Sequence, residues 1–272
     1  MSIGSPLRGT FRLLSYLLVT LVLVPPYLVA LLLRIRPIVR WMPVHYHSLV
    51  CFILGIKVRV HGKRSDVTPT LYVCNHVSYL DIEVLGGLVP GSFVAKAEVA
   101  TWPFFSTLAK AQRTIFVERT SGKTTRSRDE MMKRLNTGDN LMLFPEGTSS
   151  DGTRVLPFRS ALFGVAQLRR DGKPIVVQPV AIAYTRLDGI PLGRYWRPLF
   201  AWFGDLDLVP HLWQMVCLGE TEAVVTFFPP VDIDTFGDRK KLADFCFRQV
   251  SWGLQAANSG RYELLPSPRK AA

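Results

Sequence analysis

The stretch LYVCNHVSYLD, residues 71–81, begins as an apolar run and ends in a polar cluster. Residues 71–74 have the β-branched and aromatic content of a buried strand, and residues 80–88 have the pattern of a helix. His76 therefore lies between a strand and a helix. In open α/β sheets, catalytic and ligand-binding groups lie at the carboxyl ends of the strands. The stretch predicts an α/β fold with His76 at its functional edge.

The same alternation of short strands and longer helices continues along most of the chain. Strands are predicted over residues 56–60, 70–74, 92–95, 114–118, 140–144, 175–183 and 223–228. Helices are predicted over residues 80–88, 102–111, 124–136, 159–170 and 239–257. This alternation is typical of a layered domain with a largely parallel central sheet flanked by helices. We expect that domain to span residues 56–260 and a C-terminal tail to cover residues 261–272.

Composition narrows the class of protein and its partners. The 272 residues are 48% hydrophobic and only 20% charged, which excludes disorder and a coiled coil as the overall class. The 33 Lys and Arg residues exceed the 21 Asp and Glu residues, for a net charge of +12. A chain that is both apolar and basic suits an anionic membrane surface better than it suits nucleic acid. We expect the membrane surface as a partner and no nucleic acid.

The cysteines indicate a reducing compartment. Cys51, Cys74, Cys217 and Cys246 are scattered and form no CxxC pair. A disulfide framework or a zinc ribbon would need clustered cysteines. Four reduced thiols are typical of a protein part that faces the cytosol.

An uncharged segment lies near the N-terminus. Residues 13–33 read LLSYLLVTLVLVPPYLVALLL, a length that suffices for a helix to cross the hydrocarbon core of a bilayer. Arginines flank the segment on both sides. The pair Pro25–Pro26 inside it predicts a kink or a break in the helix.

Three interpretations of this segment remain open. A cleaved signal peptide would have a shorter apolar region and a small-residue cleavage site, and neither is evident. A straight single span is possible, with the more basic downstream flank inside. A helix–break–helix anchor that enters one leaflet is supported by a second apolar run at residues 47–56. We expect an anchor over residues 1–55 and favour the one-leaflet form slightly over the spanning form.

His76 and Asp81 form the first candidate pair for chemistry. A turn followed by the start of a helix can bring the Asp81 carboxylate back to the imidazole of His76. His76 would then take a proton from an attacking hydroxyl, and Asp81 would fix the tautomer and stabilise the imidazolium. The alternative is structural: Asp81 caps the helix, and His76 is an ordinary loop residue.

A second polar segment, FPEGTSSDG at residues 144–152, follows the predicted strand 140–144. Gly147 permits a tight turn, and Thr148 with nearby backbone amides could hold an anion. A buried Glu146 in such a loop would be expected only if it holds a neighbouring loop or a substrate hydroxyl. The alternative is an ordinary strand-exit turn.

A third predicted strand ends near Arg119, whose guanidinium suits a phosphate.

These blocks, in this order, resemble those of the glycerolipid acyltransferase family, which includes the 1-acylglycerol-3-phosphate acyltransferases. The similarity covers residues 71–184 and rests on NHVSYLD, the strand ending at Arg119, FPEGTSS and the strand IVVQPV at residues 175–180. The resemblance implies that His76 and Asp81 are the catalytic pair. It also implies acceptor binding by the residues Arg119, Glu146, Gly147 and Thr148, with Lys96 near a family Lys-x-Glu element. It implies acyl transfer from a thioester without a covalent enzyme intermediate and without a cofactor or metal.

Two departures from the family pattern concern the acceptor. Arg113 occupies a position where glycine is common, and Arg159–Ser160 replaces a frequent Lys-Gly pair. In addition, residues 181–212, which include the Trp-rich sequence RYWRP, are similar to a subgroup of bacterial lyso-ornithine-lipid acyltransferases.

The sequence therefore predicts a membrane-bound O-acyltransferase of the bacterial inner membrane, with its catalytic domain facing the cytoplasm. The donor would be an acyl carrier protein thioester or acyl-CoA, and the acceptor a lysolipid. We expect 1-acyl-sn-glycerol-3-phosphate first, giving phosphatidic acid, and lyso-ornithine lipid as the alternative. A hypothesis of another class is a non-catalytic, basic membrane-binding protein.

Overall fold

The protein is described by a computed structural model over residues 4–97, 100, 105–117 and 124–266. Its α-helices are α1 (Pro6–Leu32), α2 (Arg36–Leu54), α3 (Leu80–Gly86), α4 (Phe105–Ala111), α5 (Thr124–Asn136), α6 (Leu208–Cys217) and α7 (Arg239–Asn258). Its strands are β1 (Ile56–His61), β2 (Thr70–Cys74), β3 (Ser92–Lys96), β4 (Ile115–Val117), β5 (Leu141–Leu143), β6 (Arg169–Arg170), β7 (Lys173–Pro174), β8 (Val176–Leu187), β9 (Ile190–Pro191) and β10 (Thr221–Phe227). Short 3₁₀ helices cover Ser160–Gln167, Arg197–Leu199 and Tyr262–Leu264.

The central sheet has the strand order β1–β10–β8–β2–β5–β3–β4. Neighbouring strands in this series are parallel, except for the antiparallel pair β10 and β8. The short β9 pairs with β8, and β6 and β7 form a separate hairpin. The predicted α/β fold with a largely parallel sheet is confirmed. Because β2 and β5 are parallel neighbours, their carboxyl ends meet at one edge, called here the functional edge.

Helices cover both faces of the sheet. Successive residues of a strand point to opposite faces. Tyr72 and Cys74 of β2 pack into a core shared with α2, α3 and α6. Leu71 and Val73 pack into a second core, shared with α5, the 3₁₀ helix Ser160–Gln167 and α7. The helices thus form two layers, and α1 packs on α2 and α6 in the first of them.

The N-terminal part forms two helices, but the boundary lies after the proline pair. Of the kink or break expected at Pro25–Pro26, the break is wrong, because α1 continues through both prolines to Leu32. Contacts on either side hold it: the hydroxyls of Thr20 and Tyr46 lie 2.8 Å apart, and the Tyr27 hydroxyl donates to the Ala111 carbonyl at 3.1 Å. Neighbouring helices can stabilise a helix whose backbone bonds are lost at proline. The chain then turns at residues 33–35 and enters α2.

Two predicted elements differ from the structure. Residues 159–170 form a 3₁₀ helix and the strand β6 instead of an α-helix, and Gly164 in the middle lowers the α-helical propensity there. Helix α6 was missing from the prediction. Its third residue is Pro210, and prolines are compatible with the first turn of a helix although they usually mark a break.

Candidate active site

Asn75 fixes the end of β2 at the functional edge. Its side-chain amide donates to the Ile182 carbonyl at 2.9 Å, and its Oδ1 accepts from the Ile182 amide at 2.8 Å. These paired bonds extend the β2–β8 ladder by one side chain and leave Asn75 fully buried. The next residue, His76, therefore leaves the sheet at a defined point.

His76 and Asp81 contact each other directly. The ring Nδ1 of His76 lies 2.8 Å from Oδ2 of Asp81, and Asp81 is in the first turn of α3. The same oxygen accepts the backbone amides of Val77 and Ser78 at 2.7 and 3.0 Å. Because a carboxylate only accepts, Nδ1 carries the proton in this bond, and Nε2 is the basic nitrogen. Asp81 thus holds both the turn and the imidazole tautomer.

Tyr184 completes the environment of Asp81, and the sequence analysis missed this role. Its hydroxyl donates to Oδ1 of Asp81 at 2.9 Å from the buried strand β8. Burial, followed by the nearby Asp81 charge, raises the pKa of Tyr184 well above its usual value, so the hydroxyl remains a donor. No local pattern connects Tyr184 with Asp81. Only the β2–β8 register brings them together.

The FPEGTSS loop holds the backbone of His76 from both sides. Glu146 accepts the His76 amide on Oε1 and the Leu156 amide on Oε2, each at 2.7 Å. The Ser150 amide donates to the His76 carbonyl at 2.8 Å. Burial raises the pKa of Glu146 to about 8, and the neighbouring Asp81 adds to the shift. Since both its oxygens accept backbone amides, Glu146 supports the loop and is not open toward a substrate.

The outer nitrogen of His76 remains available. The imidazole stacks on Phe144 with ring centroids 4.2 Å apart, and Phe144 stacks on Phe93 at 6.1 Å. The His76 side chain is 22% exposed. Within the described part of the chain, Nε2 makes no hydrogen bond. An imidazole with one nitrogen held by a carboxylate and the other facing outward can act as a general base.

Gly147 and Thr148 form the turn beside His76. Gly147 has a φ of +68°, the left-handed conformation that favours glycine. A Cβ there would also lie 3.0 Å from the guanidinium carbon of Arg159. Thr148 is half-buried, and among the described residues its hydroxyl has no hydrogen-bond partner. Arg159 is exposed, and within the described ranges its guanidinium makes no ion pair, so a positive charge lies against this turn.

Of the remaining residues singled out in the sequence, Lys96 and Arg113 are among the described residues and Arg119 is not. Lys96 is the last residue of β3, next to β5 in the sheet. Arg119 lies outside the described residues. Arg113 has a φ of +61°, which explains why glycine suits this position, and its guanidinium donates to Asp139 at 2.8 Å. The Arg113 side chain is therefore engaged in an ion pair with Asp139, at a turn before β4.

An apolar cavity lies between the first helical layer and the sheet. Its volume is about 150 Å³, and its walls come from α1, α2, α3, α4 and β3. Phe93 lines the cavity and stacks on Phe144, which in turn stacks on His76. Phe105 and Leu108 of α4 also line it. The cavity can accept an alkyl chain, and the two stacked rings of Phe93 and Phe144 separate it from the imidazole.

No metal site accompanies these groups in the described ranges. The described residues contain no cluster of three or more His, Cys, Asp or Glu side chains able to hold a metal ion. All four cysteines are buried and free.

Comparisons with known proteins identify the family and agree with this fold. A family model described as Acyltransferase matches residues 57–183. A lyso-ornithine lipid O-acyltransferase from Rhizobium meliloti (strain 1021) is 43% identical over 90% of this chain and 85% of its own length. A 1-acyl-sn-glycerol-3-phosphate acyltransferase from Neisseria gonorrhoeae is 33% identical over 72% of this chain and 73% of its own.

A solved structure supports the fold independently. The crystal structure of the 1-acyl-sn-glycerophosphate (LPA) acyltransferase PlsC from Thermotoga maritima superposes with a TM-score of 0.66. It covers 92% of this chain and 95% of the other, at 22% sequence identity. The extent of the Rhizobium match, together with the family model over the region that holds His76, Asp81 and Glu146, means that this chain belongs to the acyltransferase family.

Proposed function

We propose that this acyltransferase moves an acyl chain from a thioester to the free hydroxyl of a lysolipid, and that lyso-ornithine lipid is its acceptor. The observation that carries the proposal is the His76–Asp81 pair. Its outer nitrogen is unbonded among the described residues, and an apolar cavity lies behind it. A non-catalytic membrane-binding protein would have no need for a buried carboxylate that orients an imidazole.

The reaction needs one base that later acts as an acid. Nε2 of His76 accepts the proton of the acceptor hydroxyl, and the oxygen attacks the thioester carbonyl carbon. Asp81 stabilises the imidazolium that forms, and the Tyr184 hydroxyl holds Asp81 in position. The carbon–sulfur bond then breaks, and the imidazolium returns its proton to the leaving thiolate. The products are the acylated lipid and a free thiol, with His76 neutral again.

The comparisons favour the ornithine acceptor over the phosphate acceptor. The sequence analysis ranked 1-acyl-sn-glycerol-3-phosphate first. The Rhizobium relative, named for lyso-ornithine lipid, is more similar and covers more of the chain than the Neisseria relative, named for the glycerol phosphate. The order is therefore reversed, and 1-acyl-sn-glycerol-3-phosphate becomes the second candidate.

We assign head-group binding to the Gly147–Thr148 turn, with Arg119 and Lys96 as further contributors. The open Thr148 hydroxyl and the charge of Arg159 beside Gly147 support this assignment. A carboxylate or a phosphate on the acceptor would be attracted by these groups. Glu146 contributes indirectly, by supporting the loop.

Membrane attachment through α1 and α2 is part of the proposal. Helix α1 is the one helix in the described ranges that is long and apolar enough to cross a membrane. Contacts tie it to the catalytic domain near both ends: Arg12 to the Leu218 carbonyl at 2.7 Å, and Tyr27 to the Ala111 carbonyl at 3.1 Å. These contacts favour an anchor that lies in one leaflet, and we place it on the cytoplasmic side of the bacterial inner membrane.

A competition assay tests the acceptor. Purified protein in mixed micelles receives equal amounts of lyso-ornithine lipid and 1-acyl-sn-glycerol-3-phosphate. The donor is supplied as an acyl carrier protein thioester in one series and as acyl-CoA in the other. We expect ornithine lipid as the main product. Phosphatidic acid as the main product would keep the mechanism and reverse the acceptor, and the absence of both products would contradict the proposal.

A further inference from the structure

Helix α6 exposes a face without charge. Its ten residues, LVPHLWQMVC, include no Asp, Glu, Lys or Arg. The exposed positions are Val209, Pro210, Trp213 and Gln214, and Val209 is 73% exposed. Surface helices of water-soluble domains normally present charged side chains on the outer face. A helix face of this composition indicates a partner other than water.

The face of α6 is continuous with the apolar face of α1. The Ser5 amide at the start of α1 donates to the Cys217 carbonyl at the end of α6, at 2.9 Å. Arg12 crosses the same junction to the Leu218 carbonyl at 2.7 Å. On the outer side of this junction, Leu7 and Phe11 of α1 are 85% and 72% exposed. The two helices therefore form one mainly apolar surface, on which Arg8 of α1 is an exposed basic residue, in the layer that also contains α2.

The chemistry of this surface matches the interfacial region of a bilayer. Trp213 is 42% exposed, and tryptophan prefers the boundary between head groups and acyl chains. Asp205 and Asp207 precede α6, so the entry to the helix remains polar. An apolar helix face beside a polar end is typical of a helix that lies in the plane of the membrane.

The inner face of α6 contacts the catalytic segment. Nδ1 of His211 lies 3.0 Å from the hydroxyl of Tyr79, which is between His76 and Asp81 in the chain. The segment before α6 is attached as well, because the Trp202 amide donates to the Val77 carbonyl at 3.0 Å. The position of α6 therefore bears directly on the loop that carries His76.

We propose that α6 is a third membrane-contacting helix, which lies in the same leaflet as α1 and seats the functional edge against the lipid. The inference rests on the proposed anchoring by α1. The exposed face of α6 contacts the acyl-chain region of a lipid leaflet through Val209 and Trp213. The lysolipid then enters from the leaflet beside α6 and does not cross water.

Depth labelling tests this placement. Single cysteines replace Trp213 on α6, Leu21 on α1 and Trp252 on α7, and each carries an environment-sensitive NBD group. Trp252 is the matched control, because it is also 42% exposed but lies on the opposite layer. On vesicles of phosphatidylethanolamine and phosphatidylglycerol, we expect a several-fold rise in emission at positions 213 and 21, quenched by nitroxide lipids. We expect no such rise at position 252.

Each other pattern overturns the inference in a distinguishable way. A response at position 21 without one at 213 would leave the anchor and the proposed function intact but remove α6 from the membrane. No response at either position would contradict anchoring as well. Shielding of position 213 that depends on protein concentration in detergent, and not on lipid, would indicate a second copy of the chain.

A substitution tests the functional consequence. Val209→Asp places a charge on the α6 face, and Val67→Asp, at a valine that is 52% exposed elsewhere, is the matched control. We expect Val209→Asp to lower turnover of vesicle-embedded lysolipid several-fold while turnover of a short-chain, water-soluble lysolipid is unchanged. Equal turnover of the vesicle-embedded substrate by both variants would contradict the role of α6.

Discussion

Asp81 uses both carboxylate oxygens, and each serves a separate purpose. Oδ2 holds the imidazole of His76 and the backbone of the turn, while Oδ1 accepts the hydroxyl of Tyr184. The fully buried carboxylate therefore has partners on both sides. Partners of this kind fix the direction in which the imidazole presents its free nitrogen.

The Tyr184 hydroxyl is expected to contribute to turnover. Tyr184→Phe removes one hydrogen bond to a charged group, which contributes about 1.5 kcal/mol and corresponds to about tenfold in kcat. KM for the acceptor should change little, because the Tyr184 hydroxyl bonds to Asp81 and not to the Gly147–Thr148 turn assigned to the head group. The measurement is steady-state kinetics in mixed micelles.

Tyr72→Phe is the control for that variant. Tyr72 is also buried in the first core, but its hydroxyl faces Ser65 at 3.5 Å, near the opposite edge of the sheet. We expect near-normal kcat for Tyr72→Phe. An equal loss of kcat in both variants would mean that the Tyr184 hydroxyl contributes only to the stability of the folded protein.

Glu146 predicts a pH-dependent stability. Its folded pKa of about 8 exceeds the ordinary value of 4.5, so the folded state binds the proton more tightly than the unfolded state. The contribution of Glu146 to the free energy of unfolding is therefore complete below pH 4.5, and it is lost as the pH rises through 8. We expect the melting temperature in detergent to fall between pH 5 and pH 8.5, and to fall less in Glu146→Gln. Parallel pH profiles for the two proteins would contradict the raised pKa.

At the level of single residues, the sequence predicted the close His76–Asp81 pair but not its support. The spacing of five residues is local, so a strand end and a helix start can bring the two together. The contacts of Tyr184 and Glu146 depend on which strands are neighbours, and a local pattern carries no such information. For Glu146 the sequence leaves two roles open, holding a neighbouring loop or a substrate hydroxyl, and in the structure both carboxylate oxygens accept backbone amides.

Among the elements, the α1–α6 junction links the anchor to the catalytic domain. Arg12 is buried in α1 and donates to the Val216, Leu218 and Gly219 carbonyls at the end of α6. A cation at the C-terminal end of a helix satisfies carbonyls that have no partner within the helix and interacts favourably with the helix dipole. The junction therefore holds α1 against the domain without a membrane.

Removing this cation should weaken the junction. Arg12→Met keeps the apolar stem but leaves buried carbonyls unpaired, which costs about 2 kcal/mol of unfolding free energy. We expect a melting temperature several degrees lower in detergent and faster proteolysis at the start of α1. Arg8→Met, at an exposed arginine one turn earlier, should behave like the parent protein. If Arg12→Met melted with the parent as well, the junction would not depend on this arginine.

The strands and most helices could be predicted because their periodicity is local. The proline pair and α6 could not. Neighbouring contacts hold α1 together at Pro25–Pro26, and the apolar α6 has Pro210 in its first turn and packs on α1. In both cases tertiary packing stabilises a helix where the prolines predict a break.

At the scale of the whole molecule, the two helical layers have different surroundings. The layer with α1, α2 and α6 presents long apolar stretches together with the exposed Arg8, Arg36 and Arg40, and it has no exposed acidic residue on these three helices. The layer with α5 and α7 presents charged side chains of both signs, such as Arg128 and Asp129. This asymmetry favours a protein that lies on one side of a membrane, with the functional edge between lipid and water.

The one-sided arrangement predicts the accessibility of both ends of α1. Arg8→Cys and Arg34→Cys place single reactive thiols at those ends, since the native cysteines are buried. We expect a membrane-impermeant maleimide to label both sites in inside-out vesicles and neither in intact spheroplasts. Labelling of one site from each side would mean that α1 spans the membrane.

The central claim is that His76 takes the proton during acyl transfer to a lysolipid. The most direct measurement compares the parent protein with His76→Ala, using an acyl carrier protein thioester and lyso-ornithine lipid in mixed micelles. Loss of a general base lowers the rate by about 10³-fold. The account predicts ornithine lipid from the parent protein and at least that loss in the variant, with unchanged melting temperature and micelle binding. A folded His76→Ala variant that formed ornithine lipid at a rate near that of the parent would contradict the account.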